Sequence, residues 1–333
     1  MSRESNNAAW RPCAKLTTLQ IRAQLLRQIR EFFHQRQVWE VETPILSRHG
    51  VTDPHLRSFT TLYHEPGERH GQVRYLHTSP EYAMKRLLAA GSGSIYQLAR
   101  VFRNAERGRW HNPEFTLLEW YRVGFDHQQL IDEVGVLVQQ LLQPALGALT
   151  IERVAYAELF QQHLGIDPHR DQPSVLRDCA VAHGIIPPPG LSLTERDPWL
   201  DLLLTHCLQH QLGQSGRISV LYDYPVTQAA LARIRPGDPP VAERFEFYVQ
   251  GIELANGFHE LNDPQEQRRR FEQDNQHRRL QGQATLALDE EFLASLAHLP
   301  SCSGVALGVD RLLLLATGQQ QISEVISFSF GRA

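Results

Sequence analysis

Two stretches of strand character, residues 94–102 and 114–123, are joined by a loop rich in arginine, asparagine and glycine. Further strands are expected at 217–222 and 243–254. Strand–loop–strand units flanked by helices, without strand–helix–strand alternation, point to a mainly antiparallel sheet in an α+β domain. The helices are read from apolar spacing. Ile21, Leu25, Ile29 and Phe32 mark one that starts near Thr17 and Thr18, whose hydroxyls can cap it, and runs through Gln37. Leu130, Val134, Leu137, Val138 and Leu141 mark another over 126–143. Pro80 opens a helix through Leu88, and others are expected at 265–280, 289–298 and 309–317. Val38–Thr43 alternates like a short strand ending at Pro44, residues 64–71 read as a surface loop, and a last strand is expected near 325–330. Residues 150–215 are helical in pattern and broken by Pro187-Pro-Pro-Gly190, which suggests an insertion between two halves of the sheet. Residues 1–15 are polar and read as a mobile tail before one catalytic domain over 16–333.

At 333 residues the chain can bury a substantial core. A formal charge of −4 leaves no whole-chain basic footprint for nucleic acid. Four scattered cysteines, with no Cys-x-x-Cys spacing, argue against a zinc ribbon or a disulfide framework. The first residues lack an apolar stretch behind their charges, and no run reaches eighteen apolar residues, so neither a secretory signal nor a membrane span is expected. A cytoplasmic protein is the default.

Three segments carry chemistry. Arg103, in Val101-Phe-Arg-Asn104, and Arg311, closing the glycine-containing run from Gly304, are two cations suited to a polyphosphate. Between them lies Gly251-Ile-Glu253-Leu-Ala-Asn256-Gly257-Phe-His-Glu260. Asn-Gly is the strongest short hairpin signal. A two-residue turn there would set Glu253 opposite Glu260, and like charges so placed are tolerable if a divalent cation sits between them. Two glutamates on a solvated hairpin are the plain alternative. Together these groups read as an ATP-using enzyme. Among sixteen histidines an isolated one is uninformative, and His49, His55 and His77 are read as structural or exposed.

These segments resemble the three signature motifs of the class II aminoacyl-tRNA synthetases, and most closely the lysyl-type catalytic core. Trp39-Glu-Val-Glu-Thr-Pro44 is similar to motif 1, whose proline lies at a dimer interface in that family. Phe102-Arg103-Asn104 and His111-Asn-Pro-Glu-Phe115-Thr-Leu-Leu-Glu119-Trp-Tyr121 are similar to motif 2, and Gly304–Arg311 to motif 3. Ser79-Pro80-Glu81 and Arg244-Phe-Glu-Phe also match lysyl-type enzymes. The resemblance spans about residues 17–331. About twenty residues precede the first helix, too few for an anticodon-binding barrel. The chain therefore resembles the stand-alone branch that attaches a lysine-type amino acid, (R)-β-lysine, to translation elongation factor P.

The resemblance implies ATP and Mg²⁺ as cofactors and an aminoacyl-adenylate as intermediate. Elongation factor P is then the acceptor, a homodimer is implied, and tRNA is not expected as a partner. Arg103 would contact the α-phosphate and Arg311 the γ-phosphate of a bent ATP, as catalytic groups. Asn104, Ala105, His111, Asn112, Phe115 (stacked on adenine), Glu253, Leu254 and Gly308 would complete the nucleotide site, with Glu253 and Glu260 as metal ligands. Ser79, Pro80, Glu81, Glu119, Tyr121, Glu260 and Ala306 would form the amino-acid pocket. Two positions depart from the motifs. Ala105 stands where motif 2 has glutamate, with Glu106 next to it, and Ala306 stands where lysyl-tRNA synthetases carry glycine. A minimal enzyme that charges tRNA, or a non-catalytic amino-acid sensor, are the rival readings. The sensor would be expected to lose Arg103, Glu253, Glu260 or Arg311, and all four are present.

Overall fold

The computed structural model describes residues 10–67, 70–188 and 190–333. The first helix, α1 (Leu16–Gln35), buries Leu25, Ile29, Phe32 and Phe33. Short strands β1 (Trp39–Glu40), β2 (Leu46–Ser47), β3 (Thr60–Tyr63) and β4 (Gln72–Leu76) lead to α2 (Glu81–Ala89). Then come β5 (Ile95–Phe102), β6 (Glu114–Val123), α3 (His127–Leu146) and β7 (Thr150–Ala155). A helical stretch follows with α4 (Tyr156–Leu164), α5 (Pro173–Ala182) and α6 (Asp197–Leu203), before β8 (Arg217–Pro225) and β9 (Ile234–Arg235). Strands β10 (Val241–Val249) and β11 (Ile252–His259), helices α7 (Pro264–Leu280) and α8 (Glu290–Leu296), strand β12 (Cys302–Gly308) and α9 (Val309–Thr317) complete the order.

The main sheet runs β1-β5-β6-β12-β11-β10-β8-β7, with β9 paired to β10; β2, β4 and β3 form a second, small sheet. Among the described residues only β1–β5 and β7–β8 are parallel, so the antiparallel α+β expectation holds. Side chains alternate across each strand. On β6, Leu118 and Trp120 point into the core under α1, α3 and α9, while Tyr121 joins a cluster with α2 and α8. On β10, Phe245 and Phe247 face the first core and Tyr248 packs against α4–α6. Each such fully buried aromatic contributes about 1.5–3 kcal/mol over an exposed one. The sheet is thereby fixed as a two-sided layer, with one closed face and one face that holds a cavity.

Several expectations are corrected. Asn256-Gly257 is not a turn but the middle of β11, paired with Glu246 and Phe245 on one side and Ala306 and Val305 on the other. The turn lies at Gln250 and Gly251, both at positive φ, the conformation a two-residue type I′ hairpin requires. Gly257 is needed for packing. A Cβ there would stand 2.3 Å from the Phe245 ring and 2.9 Å from the Gly304 carbonyl. The first helix starts after Lys15 with no side-chain cap, and Thr18 is buried within it. Residues 325–330 form no strand; a 3-10 turn at Ile322–Glu324 precedes them. Residues 150–155 of the expected helical insertion are an edge strand. Of the tail, residues 1–9 lie outside the described ones, whereas Cys13 and Ala14 donate backbone hydrogen bonds to Ser327 and Ile326. All four cysteines are free. Among the described residues no helix is long and apolar enough to cross a membrane.

Candidate active site

The open face of the sheet borders a cavity of about 1140 Å³. Odd-numbered residues of β6 wall it, so Phe115, Leu117, Glu119 and Tyr121 share one face, as period two requires. On β11 the register against β10 leaves Leu254 without an opposite residue. That bulge resets the alternation, so Glu253 joins Asn256, Phe258 and Glu260 along the wall. Ser79, Pro80 and Glu81 enter from the start of α2, and Ala306, Gly308 and Arg311 from the β12–α9 junction.

The cationic end is built around Arg311. Its guanidinium donates to the Glu253 carbonyl at 2.8 Å and lies 3.6 Å from that carboxylate; it also meets His111 Nε2 at 2.6 Å. Burial, then the Arg311 and Arg103 charges, push His111 down to about 4, so its ring is neutral and can accept from Arg311. Asp310 fixes the direction of α9. Its carboxylate accepts from the Thr116 backbone N–H at 2.8 Å and pairs with Arg22, which also reaches Thr116 Oγ1 at 2.8 Å. Arg103 leaves β5 with its backbone N–H bonded to the Pro113 carbonyl, and its guanidinium lies 5.1 Å from the centre of the Phe115 ring. Asn104 is tied to the Arg57 carbonyl through its backbone N–H.

Ala105 holds φ +68°, a left-handed conformation costly for alanine, and Glu106 comes within 3.9 Å of Arg103. Asn112 spends its amide inside the protein, donating to the Glu114 carbonyl and accepting from the Phe330 N–H. Gly308 has ordinary φ, and a Cβ there would meet only the Arg311 stem at 3.7 Å.

The anionic end is a buried carboxylate cluster. Glu119 accepts from Ser79 Oγ and from the Tyr121 hydroxyl, both at 2.7 Å. Burial, then the Glu81 charge, push Glu119 up to about 8 against those two hydrogen bonds. Lys85, 1% exposed, places its ammonium 2.7 Å from Glu81 and 2.6 Å from Glu260. The two carboxylates outweigh its burial and hold its pKa above the ordinary lysine value. Burial pushes Glu260 up to about 7, opposed mainly by Lys85. Gly304 makes room for this packing: a Cβ there would lie 2.3 Å from the Tyr121 ring and 2.4 Å from Glu260 Oε1. Ala306 stands between Glu119 on β6 and Asn256 on β11, so its methyl borders the carboxylates.

One arrangement expected from the sequence does not form. Glu253 and Glu260 lie seven residues apart along one chain direction, roughly 20 Å at the rise of a strand. Glu260 is engaged by Lys85 at the anionic end, and Glu253 by Arg311 at the cationic end. A single cation bridging them is excluded by the continuous β11. Sequence reasoning also missed Lys85, although its i+4 spacing from Glu81 on a helix was a usable signal. Gly304 was read as part of a glycine run, and its close contacts only the fold could reveal. The cavity further takes in Asp197, Asp201, Arg244 and Glu246. Burial, then Asp197, push Asp201 up to about 6.

A mainly antiparallel sheet thus carries a cavity with two arginines, Arg103 and Arg311, at one end and buried carboxylates at the other. Residues 8–331 match the family model described as tRNA synthetases class II (D, K and N). Among curated relatives, the elongation factor P–(R)-β-lysine ligase of Vibrio atlanticus (strain LGP32) is 48% identical over 330 residues, 98% of this chain and 100% of the relative. The enzymes of that name from Vibrio cholerae serotype O1 and Klebsiella pneumoniae (strain 342) are 49% and 50% identical, each over at least 98% of this chain and 99% of the relative. The chain belongs to the class II tRNA synthetase family and, within it, to the family of the elongation factor P–(R)-β-lysine ligases.

Proposed function

We propose that the chain uses ATP to activate (R)-β-lysine as an aminoacyl-adenylate and transfers it to a lysine side chain of elongation factor P. The observation that carries this is one cavity with Arg103 and Arg311 at one end and Glu81, Glu119 and Glu260 at the other. A substrate with two ammonium groups and a carboxylate fits that polarity: its cations meet the carboxylates while its carboxylate points to the arginines.

The substrate carboxylate oxygen attacks the α-phosphorus, forming the acyl–phosphate bond as the bond to pyrophosphate breaks. Arg103 grips the α-phosphate and Arg311 the γ-phosphate, each as a fixed bidentate donor. Phe115, on the cavity wall, offers a stacking surface for adenine. A neutral amine of the acceptor then attacks the acyl carbon, loses its proton, and AMP departs. The rate arises from positioning and from charge placed where charge develops.

For Mg²⁺, Glu253 is the residue whose surroundings fit. Burial, then the neighbouring Glu246, raise its pKa against the opposing Arg311 and Arg244 charges, so its carboxylate is short of counter-charge. Such an ion, held by one or two carboxylates and phosphate oxygens, would neutralise the triphosphate. Glu260 stays with the amino-acid pocket.

A homodimer is supported by the apolar surface around motif 1. Trp39 is 65% exposed, and Ile45, Leu46, Leu62, Tyr63 and Val73 are exposed with it. Pyrophosphate exchange tests the reading, comparing (R)-β-lysine, α-lysine and no amino acid, followed by mass spectrometry of elongation factor P. Exchange strongest with the β-isomer and a mass gain on one lysine are expected. Folded protein with no exchange for either isomer would overturn it, and charging of tRNA by α-lysine would favour a minimal synthetase.

A further inference from the structure

On the face of the sheet away from the cavity, His127, Glu243 and His259 converge from three elements. His127 is the first residue of α3, Glu243 lies on β10 and His259 closes β11, one residue before Glu260. Their ligand atoms all lie within 4.8 Å of one another. His259 Nδ1 is 2.6 Å and His127 Nδ1 is 3.9 Å from the two Glu243 oxygens. His127 is 3% exposed, and its Nδ1 is buried with no hydrogen-bond partner. A buried ring nitrogen left unpaired costs free energy that a ligand at that point would recover.

From this geometry we infer a site for a first-row divalent metal ion, of which Zn²⁺ is the best match. Two imidazoles and one carboxylate are a recurrent zinc donor set, with water completing a tetrahedron. Bond lengths of about 2.0–2.2 Å set ligand atoms about 3.4 Å apart, so the wider pairs close by little more than about 1 Å, while His259 and Glu243, now 2.6 Å apart, open by somewhat less. The charges around the cluster permit a cation. Arg235 comes within 3.9 Å of Glu243, but it is paired with Asp223 at 2.5 Å, which leaves the Glu243 charge for the metal. Burial lowers the His127 pKa, which favours the neutral ring that can ligate.

Ligation through Nδ1 moves the ring proton of His127 to Nε2, which stands 2.9 Å from the Gln128 amide nitrogen. A half-turn of that amide presents its oxygen instead. It gives up the Gln128 bond to Arg153, which keeps its pairing with Asp132. His259 Nε2 faces Ser301 Oγ at 3.4 Å, so both rings have an outer partner of the kind that orients metal-bound histidines. Bound there, the ion ties the start of α3 to β10 and β11, directly behind the amino-acid pocket.

The test uses the full chain, stripped with EDTA and titrated with ZnCl₂ in the absence of ATP and Mg²⁺. Calorimetry, X-ray absorption and thermal unfolding are the readouts, alongside the variants His127→Gln and His259→Gln. The expected result is one equivalent with two imidazole and oxygen donors and no sulfur, raising the unfolding temperature. Loss of an outer-sphere partner typically weakens metal binding about 10–100-fold, so losing a direct ligand should weaken it at least about 100-fold. No such equivalent in the wild type, binding retained in the variants, or sulfur donors in the spectrum would each overturn the site. If His127→Gln fails to fold, the half-buried His259→Gln decides.

Discussion

Glu119 accepts two hydrogen bonds at 2.7 Å and still keeps its proton up to about 8, because burial beside Glu81 penalises its charge. A substrate ammonium needs the ionised form. The kcat/KM for the amino acid in pyrophosphate exchange should therefore rise with pH, reach half its limit near pH 8 and level off only above it, and Glu119→Gln should flatten that limb. A rise that persists unchanged in the variant would assign it to another group. The same shift has an opposite effect on stability. The folded chain holds this proton more tightly than an unfolded one with the ordinary value of 4.5, so Glu119 disfavours folding increasingly as pH rises from about 4.5 to about 8. Urea midpoints of the wild type should fall across that window more steeply than those of Glu119→Gln. At Ala306, removing the methyl enlarges the wall beside Glu119. One methylene-scale change is worth about 1–3 kcal/mol in discrimination, so Ala306→Gly should raise α-lysine exchange relative to β-lysine by about tenfold or more. Unchanged relative rates would show that this methyl does not set the isomer preference.

At the scale of elements, β11 decides where the carboxylates go. Its bulge brings Glu253 onto the cavity wall, and its continuity through Asn256-Gly257 separates Glu253 from Glu260. The Gly257 backbone is pressed between Phe245 and Gly304, with 2.3 Å and 2.9 Å to a virtual Cβ. Overpacking of this kind costs typically about 1–3 kcal/mol. Gly257→Ala should lower the urea midpoint by a corresponding amount, with the slope unchanged. A variant as stable as the wild type would mean that β11 and β12 can separate without loss. The helix α9 illustrates the reverse case. Its apolar run and its start after Gly308 were legible, and the expected 309–317 agrees with Val309–Thr317. What aims Arg311 is Asp310, through bonds to Thr116 and Arg22 that lie far off in sequence.

At the scale of the molecule, the exposed Trp39 and its apolar neighbours on β1–β4 favour a second copy as their cover. Trp39→Asp should shift sedimentation from dimer to monomer while leaving far-ultraviolet dichroism intact. A monomeric wild type would remove this expectation. The sequence by itself determined the layer architecture, because apolar periodicity is local: 2 for strands, 3.6 for helices. It also picked out most of the arginines and glutamates that line the cavity, since an ordered set of motifs is readable without coordinates. Tertiary structure alone decided which carboxylates meet which cations. A strand's register and a bulge depend on what packs across it, here Phe245 and Gly304 against Gly257 rather than the turn preference of Asn-Gly. Lys85 lies with Glu260, and His127 with His259, because pairing across the sheet and helix packing close gaps of more than a hundred residues.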